Sequence, residues 1–188
     1  DGTMIAISSS DFSVTLHAVD GTRMARTTSS SGAFTHLAFG TDAGGAHLAA
    51  TSDEQLSIWR VDSGLELLRR DDIPTDVLSL VSSRDGGLVR LATAAGILVT
   101  CPVDAPDEAL RRTTLGDGVL QQAAFDSTGD ALLLVEESSF EIWSVSALQP
   151  VTPTMPLPAE PGLFTLGPGG TVFAHSDPTG LVTVTPLE

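Results

Sequence analysis

Five segments of the chain recur at a constant interval of 42 residues, and this periodicity limits the possible folds more than any other feature of the sequence. His17, Trp59, Cys101, Trp143 and Thr185 form one column of the repeat. Val19, Val61, Val103, Val145 and Leu187 form a second, followed by Asp20, Asp62, Asp104, Ser146 and Glu188. Upstream lie Val14, Leu56, Leu98, Phe140 and Val182, then Leu16, Ile58, Thr100, Ile142 and Val184. In the three aliphatic or aromatic columns only Thr100 is polar, although hydrophobic residues make up just 41% of the chain, so chance does not account for the pattern.

A further register is held by Gly2, Gly44, Gly86 and Gly170, with Thr128 beside Gly129 in the remaining copy, in turn strings such as TDAGG, SRDGG and DSTGD. Tight hairpins need positive φ, which glycine adopts without strain. The turns divide each repeat into four short strands, a to d, expected in the second copy near residues 34–39, 46–51, 56–61 and 65–70. The third strand is apolar on both faces, Leu56 and Ile58 on one and Trp59 and Val61 on the other, which suits a sheet covered on both sides. Helical repeats are disfavoured, because the apolar spacing is two rather than 3.6 and Gly or Pro recurs too often.

The segments IWRVDSG at 58–64 and IWSVSAL at 142–148 resemble the end of the third strand and the following turn in the tryptophan-aspartate (WD) repeat family. The longest such match is AFTHLAFGTDAGGAHLAATSDEQLSIWRVDSG. The resemblance covers nearly the whole chain and implies an all-β fold, a β-propeller of four-stranded antiparallel blades. Family members often link a His, a Ser or Thr, an Asp and the Trp by hydrogen bonds. Here Trp59 and Asp53 match, Ala50 stands at the hydroxyl position, and no Gly-His pair precedes strand a. His17, Cys101 and Thr185 then read as replacements at the Trp position.

Residues 1–188 are expected to form part of one β-propeller domain, with third strands at 14–20, 56–62, 98–104, 140–146 and 182–188. The count is five copies of strands b and c but four of a and of d, about four and a half blades. That predicts an incomplete ring, since propellers carry about four to eight blades, and hence further blades in a longer parent chain. The proline-rich stretch at 149–162 could be a linker, but the repeat places it on an outer strand, where missing amide donors are tolerated.

Composition narrows the partners. A net charge of −15 repels polyphosphate backbones and anionic lipid, so neither nucleic acid nor a membrane surface is expected. The same charge either keeps a β-rich surface soluble or prefers basic partners. The lone cysteine excludes an internal disulfide and favours a cytoplasmic setting. Lys, Asn and Tyr, whose codons are AT-rich, are absent, which points to a GC-rich bacterial source.

Residues with chemical potential are scattered. His17, His36, His47 and His175 lie in or beside predicted strands without metal-ligand spacing, and no metal or other cofactor is expected. Cys101, in a Trp column, reads as a buried inert thiol rather than a nucleophile. Loops around Asp42, Asp85 and Asp126 admit a calcium reading, but ordinary hairpin turns explain them better. Arg23, Arg26, Arg69, Arg70, Arg111 and Arg112 fall on or near outer strands, where charge discourages edge-to-edge pairing; the alternative is a basic stripe for an acidic partner.

In the WD-repeat family, ligands often meet the face built from the d-to-a and b-to-c loops. Here that face carries Asp53, Glu54, Asp71, Asp72, Glu136, Glu137 and Asp177, an acidic set suited to a basic peptide or protein segment. The resulting expectation is a noncatalytic interaction or sensing module of a larger bacterial signalling or regulatory protein, attached to an effector. Two alternatives stand beside it: a propeller enzyme, a metal-dependent hydrolase or lyase with a site in its central channel, and a half-propeller completed by another chain. The largely apolar a strands AFTHLAF, DVLSLVS, VLQQAAF and GLFTL count against the enzyme.

Overall fold

A computed structural model of the chain describes residues 2–29, 32–62, 64–105, 107–116, 118–157, 162–177 and 179–186. The predicted repeat positions at Leu187 and Glu188, and the centre of the Asp62 to Gly64 turn, lie outside these residues.

The described residues form five antiparallel sheets, each an ordered meander. The first contains β1 (Met4–Ser9), β2 (Ser13–Ala18) and β3 (Arg23–Thr28). The second contains β4 (Phe34–Asp42), β5 (Gly45–Ser52), β6 (Gln55–Val61) and β7 (Leu65–Asp72). The third contains β8 (Val77–Ser82), β9 (Leu88–Thr93), β10 (Ile97–Pro102) and β11 (Arg111–Thr114). The fourth is β12 (Gln122–Phe125), β13 (Ala131–Val135) and β14 (Ser139–Ser144), with two short pieces, β15 (Gln149–Pro150) and β16 (Met155–Pro156), both paired to β14. The fifth contains β17 (Phe164–Leu166), a single 3-10 turn, β18 (Val172–Ser176) and β19 (Val182–Pro186).

The described part of the proline-rich stretch therefore supplies an outer strand. Its prolines split the strand in two, because each proline removes an amide donor from the ladder.

The sheets stack face to face, and the first strands β4, β8, β12 and β17 neighbour one another along the inner side. Two-sided cover explains why the middle strands carry apolar residues on both faces. Leu56 and Ile58 pack with Val89, Val99 and Cys101 of the third sheet, whereas Trp59 and Val61 pack with Val14 and Leu16 of the first. The pattern repeats one sheet on, where Leu98 of the third sheet meets Leu132, Leu134 and Val145 of the fourth. Each fully buried Leu or Ile in these seams contributes about 1.5–3 kcal/mol.

Cover stops at the outermost sheets. Val61, Val103 and Val145 are nearly inaccessible, but their counterpart Val19 is 62% exposed. Ile5 and Ile7 are exposed beside it, and every residue of β19 is exposed.

Two turn features refine the sequence reading. In the second sheet the positive φ falls at Gly45 rather than Gly44. Gly86, at φ +69°, is doubly constrained, because a Cβ there would lie 2.1 Å from the Thr41 carbonyl oxygen of the preceding sheet.

Candidate functional site

Of the seven carboxylates expected on one face, Asp53, Glu54 and Asp72 line one cleft, and the other four lie outside its lining. Asp53 and Glu54 form the two-residue turn between β5 and β6, closed by the Ser52–Gln55 pair. Asp53 takes φ +43°, a conformation that Asp tolerates in such hairpins, and its carboxylate rests against Gly32, where a Cβ would be 2.1 Å from Oδ2. Asp72 ends β7 opposite Gln55, and the chain leaving it is tied back by Ile73 N–H donating to the Glu54 carbonyl at 2.8 Å.

These elements wall a cleft of about 730 Å³ lined by His36, Asp53, Glu54, Asp72, Thr75 and Asp76, among others. Asp76 stands at φ +59°, and its carbonyl accepts from Ala94 N–H of the third sheet at 2.9 Å, which fixes the far wall. Among the described residues, none of Asp53, Glu54, Asp72 and Asp76 takes part in an ion pair. His36 is half-buried, with Nδ1 3.1 Å from Thr35 Oγ1 and 3.3 Å from Thr51 Oγ1. Burial lowers its pKa below the ordinary imidazole value, so it adds no compensating charge at neutral pH.

The other four members of the set sit elsewhere. Asp71 turns into the seam between the second and third sheets and pairs with Arg69. That arginine is buried, and it donates to the carbonyls of Pro102, Ala105 and Glu108. Arg69 is thus a clasp between sheets rather than a charge guarding a strand edge. Cys101 shares this seam, where burial pushes its thiol up to about 12 and leaves it unreactive.

Glu136 and Glu137 are exposed in the turn between β13 and β14 of the fourth sheet. Asp177 is absorbed by its own turn, accepting from the Thr179 hydroxyl at 2.7 Å and from the N–H groups of Thr179 and Leu181. The Thr179 hydroxyl leads in holding its carboxyl below the usual range.

At the other end of the sheets the acidic turns are occupied by protein donors. Asp42 accepts from Gly44 N–H at 2.7 Å, and Asp85 from the Ser83 hydroxyl and Gly87 N–H. Asp126 accepts from the Thr128 hydroxyl and from the N–H groups of Asp130, Ala131 and Gly169. These carboxylates hold hairpins and seams together, which is the turn explanation rather than the calcium one.

No family model matches the chain, and no curated protein matches its sequence. Its structure is similar to the crystal structure of the C-terminal WD40 domain of Sif2, with a TM-score of 0.67 and 10% sequence identity over 98% of this chain. The fold is that of a WD40-like β-propeller. The chain spans 54% of the length of that WD40 structure. Within a WD40-like fold the acidic cleft lies on the end that carries the d-to-a and b-to-c loops. Among the described residues no helix is long and apolar enough to cross a membrane.

Sequence reasoning missed Asp76, Thr75 and His36 as cleft residues. Asp76 lies on the same d-to-a loop as Asp72 and was within reach of the loop argument. In the sequence His36 carries no signal beyond that of a scattered histidine without metal-ligand spacing.

Proposed function

We propose that this chain is a noncatalytic protein-interaction or sensing module of a larger bacterial signalling or regulatory protein, and that its acidic cleft takes a basic peptide segment. The observation carrying this reading is the convergence of Asp53, Glu54, Asp72 and Asp76 on one cleft, none of them in an ion pair among the described residues; the Arg112 guanidinium beside Asp72 donates to its backbone carbonyl, at 3.2 Å. Four unpaired carboxylates on a surface already at net charge −15 steer a cationic segment in and repel anionic ones. The walls come from backbone-tied turns, so the cleft is formed before a partner arrives.

The uncovered side chains of Ile5, Ile7 and Val19, and the exposed β19, favour further blades of the same repeat in the parent chain; the attached effector domain and the cytoplasmic setting rest on the fold likeness and the lone cysteine alone. The same faces also fit the reading of a half-propeller completed by another chain.

Binding of a fluorescent arginine- and lysine-rich peptide, followed by anisotropy across a salt series, tests the cleft. Saturable binding that weakens with salt and falls at least roughly tenfold in the triple variant Asp53→Asn, Asp72→Asn, Asp76→Asn supports the proposal. Binding indifferent to those substitutions rejects it.

A further inference from the structure

At the far end of the same seam, beneath the Gly-rich turns, β5 carries a histidine that the cleft does not use. His47 is fully buried, with Nε2 3.0 Å from the Ser82 hydroxyl at the end of β8. Its Nδ1 lies 3.7 Å from Asp42 Oδ2, and both atoms are buried without a hydrogen-bond partner among the described residues. The other Asp42 oxygen is taken by Gly44 N–H and by Arg60, whose guanidinium runs on to the Gly45 carbonyl and to Asp104.

Two side chains of the second sheet therefore reach the third here, His47 to Ser82 and Arg60 to Asp104. The charged groups facing the ring are Asp42 at the end of β4, Arg60 on β6 and Asp104 after β10, while β8 offers only the neutral Ser82.

A serine, a histidine and a carboxylate in line resemble a nucleophile and its base, but the packing forbids that use. A Cβ on Gly40 would stand 2.0 Å from Ser82 Oγ and 2.3 Å from His47 Nε2, so the Gly40 backbone packs directly on the hydroxyl and the ring and leaves no room for a bulky group between them.

We propose that His47 is an acid-sensitive latch: when its ring takes up a second proton, the seam between the second and third sheets opens at this end. A cation at this site has no water around it, and the Asp42 charge is already matched by Arg60 and Gly44. Burial leads in lowering the pKa of His47 below its ordinary value, and Arg60 adds to it, against the opposing pull of Asp42 and Asp104.

Above the ordinary histidine pKa the ring is neutral whether the seam is closed or open, and the latch holds. Below it, the open form takes a proton that the closed form refuses, so the opening equilibrium rises by up to roughly tenfold per pH unit until the closed-state pKa is reached. Water has a route in, because a cleft of about 370 Å³ lined by Gly40, Thr41, Ala46 and Ser82 abuts the seam.

Amide hydrogen exchange on the whole chain at about pH 7.5 and about pH 5, corrected for the intrinsic exchange chemistry, tests the latch. The expected result is loss of protection in β5 and β8 by roughly tenfold or more relative to β13 at the lower pH. His47→Gln, which keeps a neutral polar partner for Ser82, is expected to remove most of that difference, whereas His17→Gln in the first sheet is expected to leave it. An acid effect undiminished in His47→Gln overturns the proposal. Should that variant not fold, the His47 ring titration in the wild-type chain decides by NMR. Titration below the ordinary value together with broadening of β5 amides supports the latch, and titration at or above it overturns it.

Discussion

The two ends of the stacked sheets use the same residue type in opposite ways. At the Gly-rich end, Asp42 and Asp126 are buried or nearly so, and their oxygens accept hydrogen bonds from turns and from neighbouring sheets. At the cleft end, Asp53, Glu54, Asp72 and Asp76 stand around an open space, without an ion pair among the described residues. Both ends are acidic in sequence, but Asp42 and Asp126 are spent on contacts within the fold, whereas the cleft carboxylates line an open space. A carboxylate that the fold has already occupied is a structural group, and counting acidic residues overstates the binding face.

The contrast breaks most sharply at the Arg69 clasp, which belongs wholly to the fold. Arg69→Ala strands Asp71 and removes the donor to three carbonyls at the end of β10 and in the loop after it, so chemical denaturation is expected to show a loss of about 3–5 kcal/mol.

Asp126→Ala is expected to cost less, about 1–3 kcal/mol, because it leaves the N–H groups of Ala131 and Gly169 without their acceptor. Burial pushes the Asp126 carboxyl up, but the Thr128 hydroxyl and the surrounding N–H groups outweigh it and hold the pKa below 3.8. A carboxylate with a depressed folded-state pKa contributes stability above its unfolded pKa and loses it as pH falls through the folded value. The gap between wild type and Asp126→Ala should therefore be constant near neutrality and shrink only below about pH 4 in acid-unfolding curves.

The cleft carboxylates are expected to behave in the opposite way. Asp72→Asn or Asp76→Asn should change stability by no more than about 0.5 kcal/mol in the same assay, because neither carboxylate is in an ion pair and both residues are exposed. A loss of about 2 kcal/mol or more from either would show that the cleft is a structural element like the opposite end.

Much of the fold was legible because a constant period multiplied each weak signal. The apolar columns at Leu56, Ile58, Trp59 and Val61 specified a strand covered on both faces, and the neighbouring sheets supply that cover. The columns failed at Val19 and throughout β19, since the sequence pattern describes what a residue could pack against and not what is there.

The site was less legible. Asp71 and Asp72 are adjacent in sequence, yet one enters the seam and the other the cleft. A bulge in β7 leaves Leu68 unmatched between the pairs Ile58–Arg69 and Trp59–Leu67 and brings Leu68 and Arg69 both toward the third sheet. Alternation alone sends Asp71 and Asp72 to opposite faces, and the upstream bulge sets which face Arg69 and Asp71 take. Asp177 was lost for a simpler reason, because the threonine two residues on satisfies it locally.

Backbone and carboxylate NMR mapping of the chain with an arginine- and lysine-rich peptide tests the difference between the two ends most directly. The account predicts shifts concentrated at Asp53, Glu54, Asp72 and Asp76 while Asp42 and Asp126 stay still. Shifts spread evenly over every exposed carboxylate, or centred on Glu136 and Glu137, would contradict it.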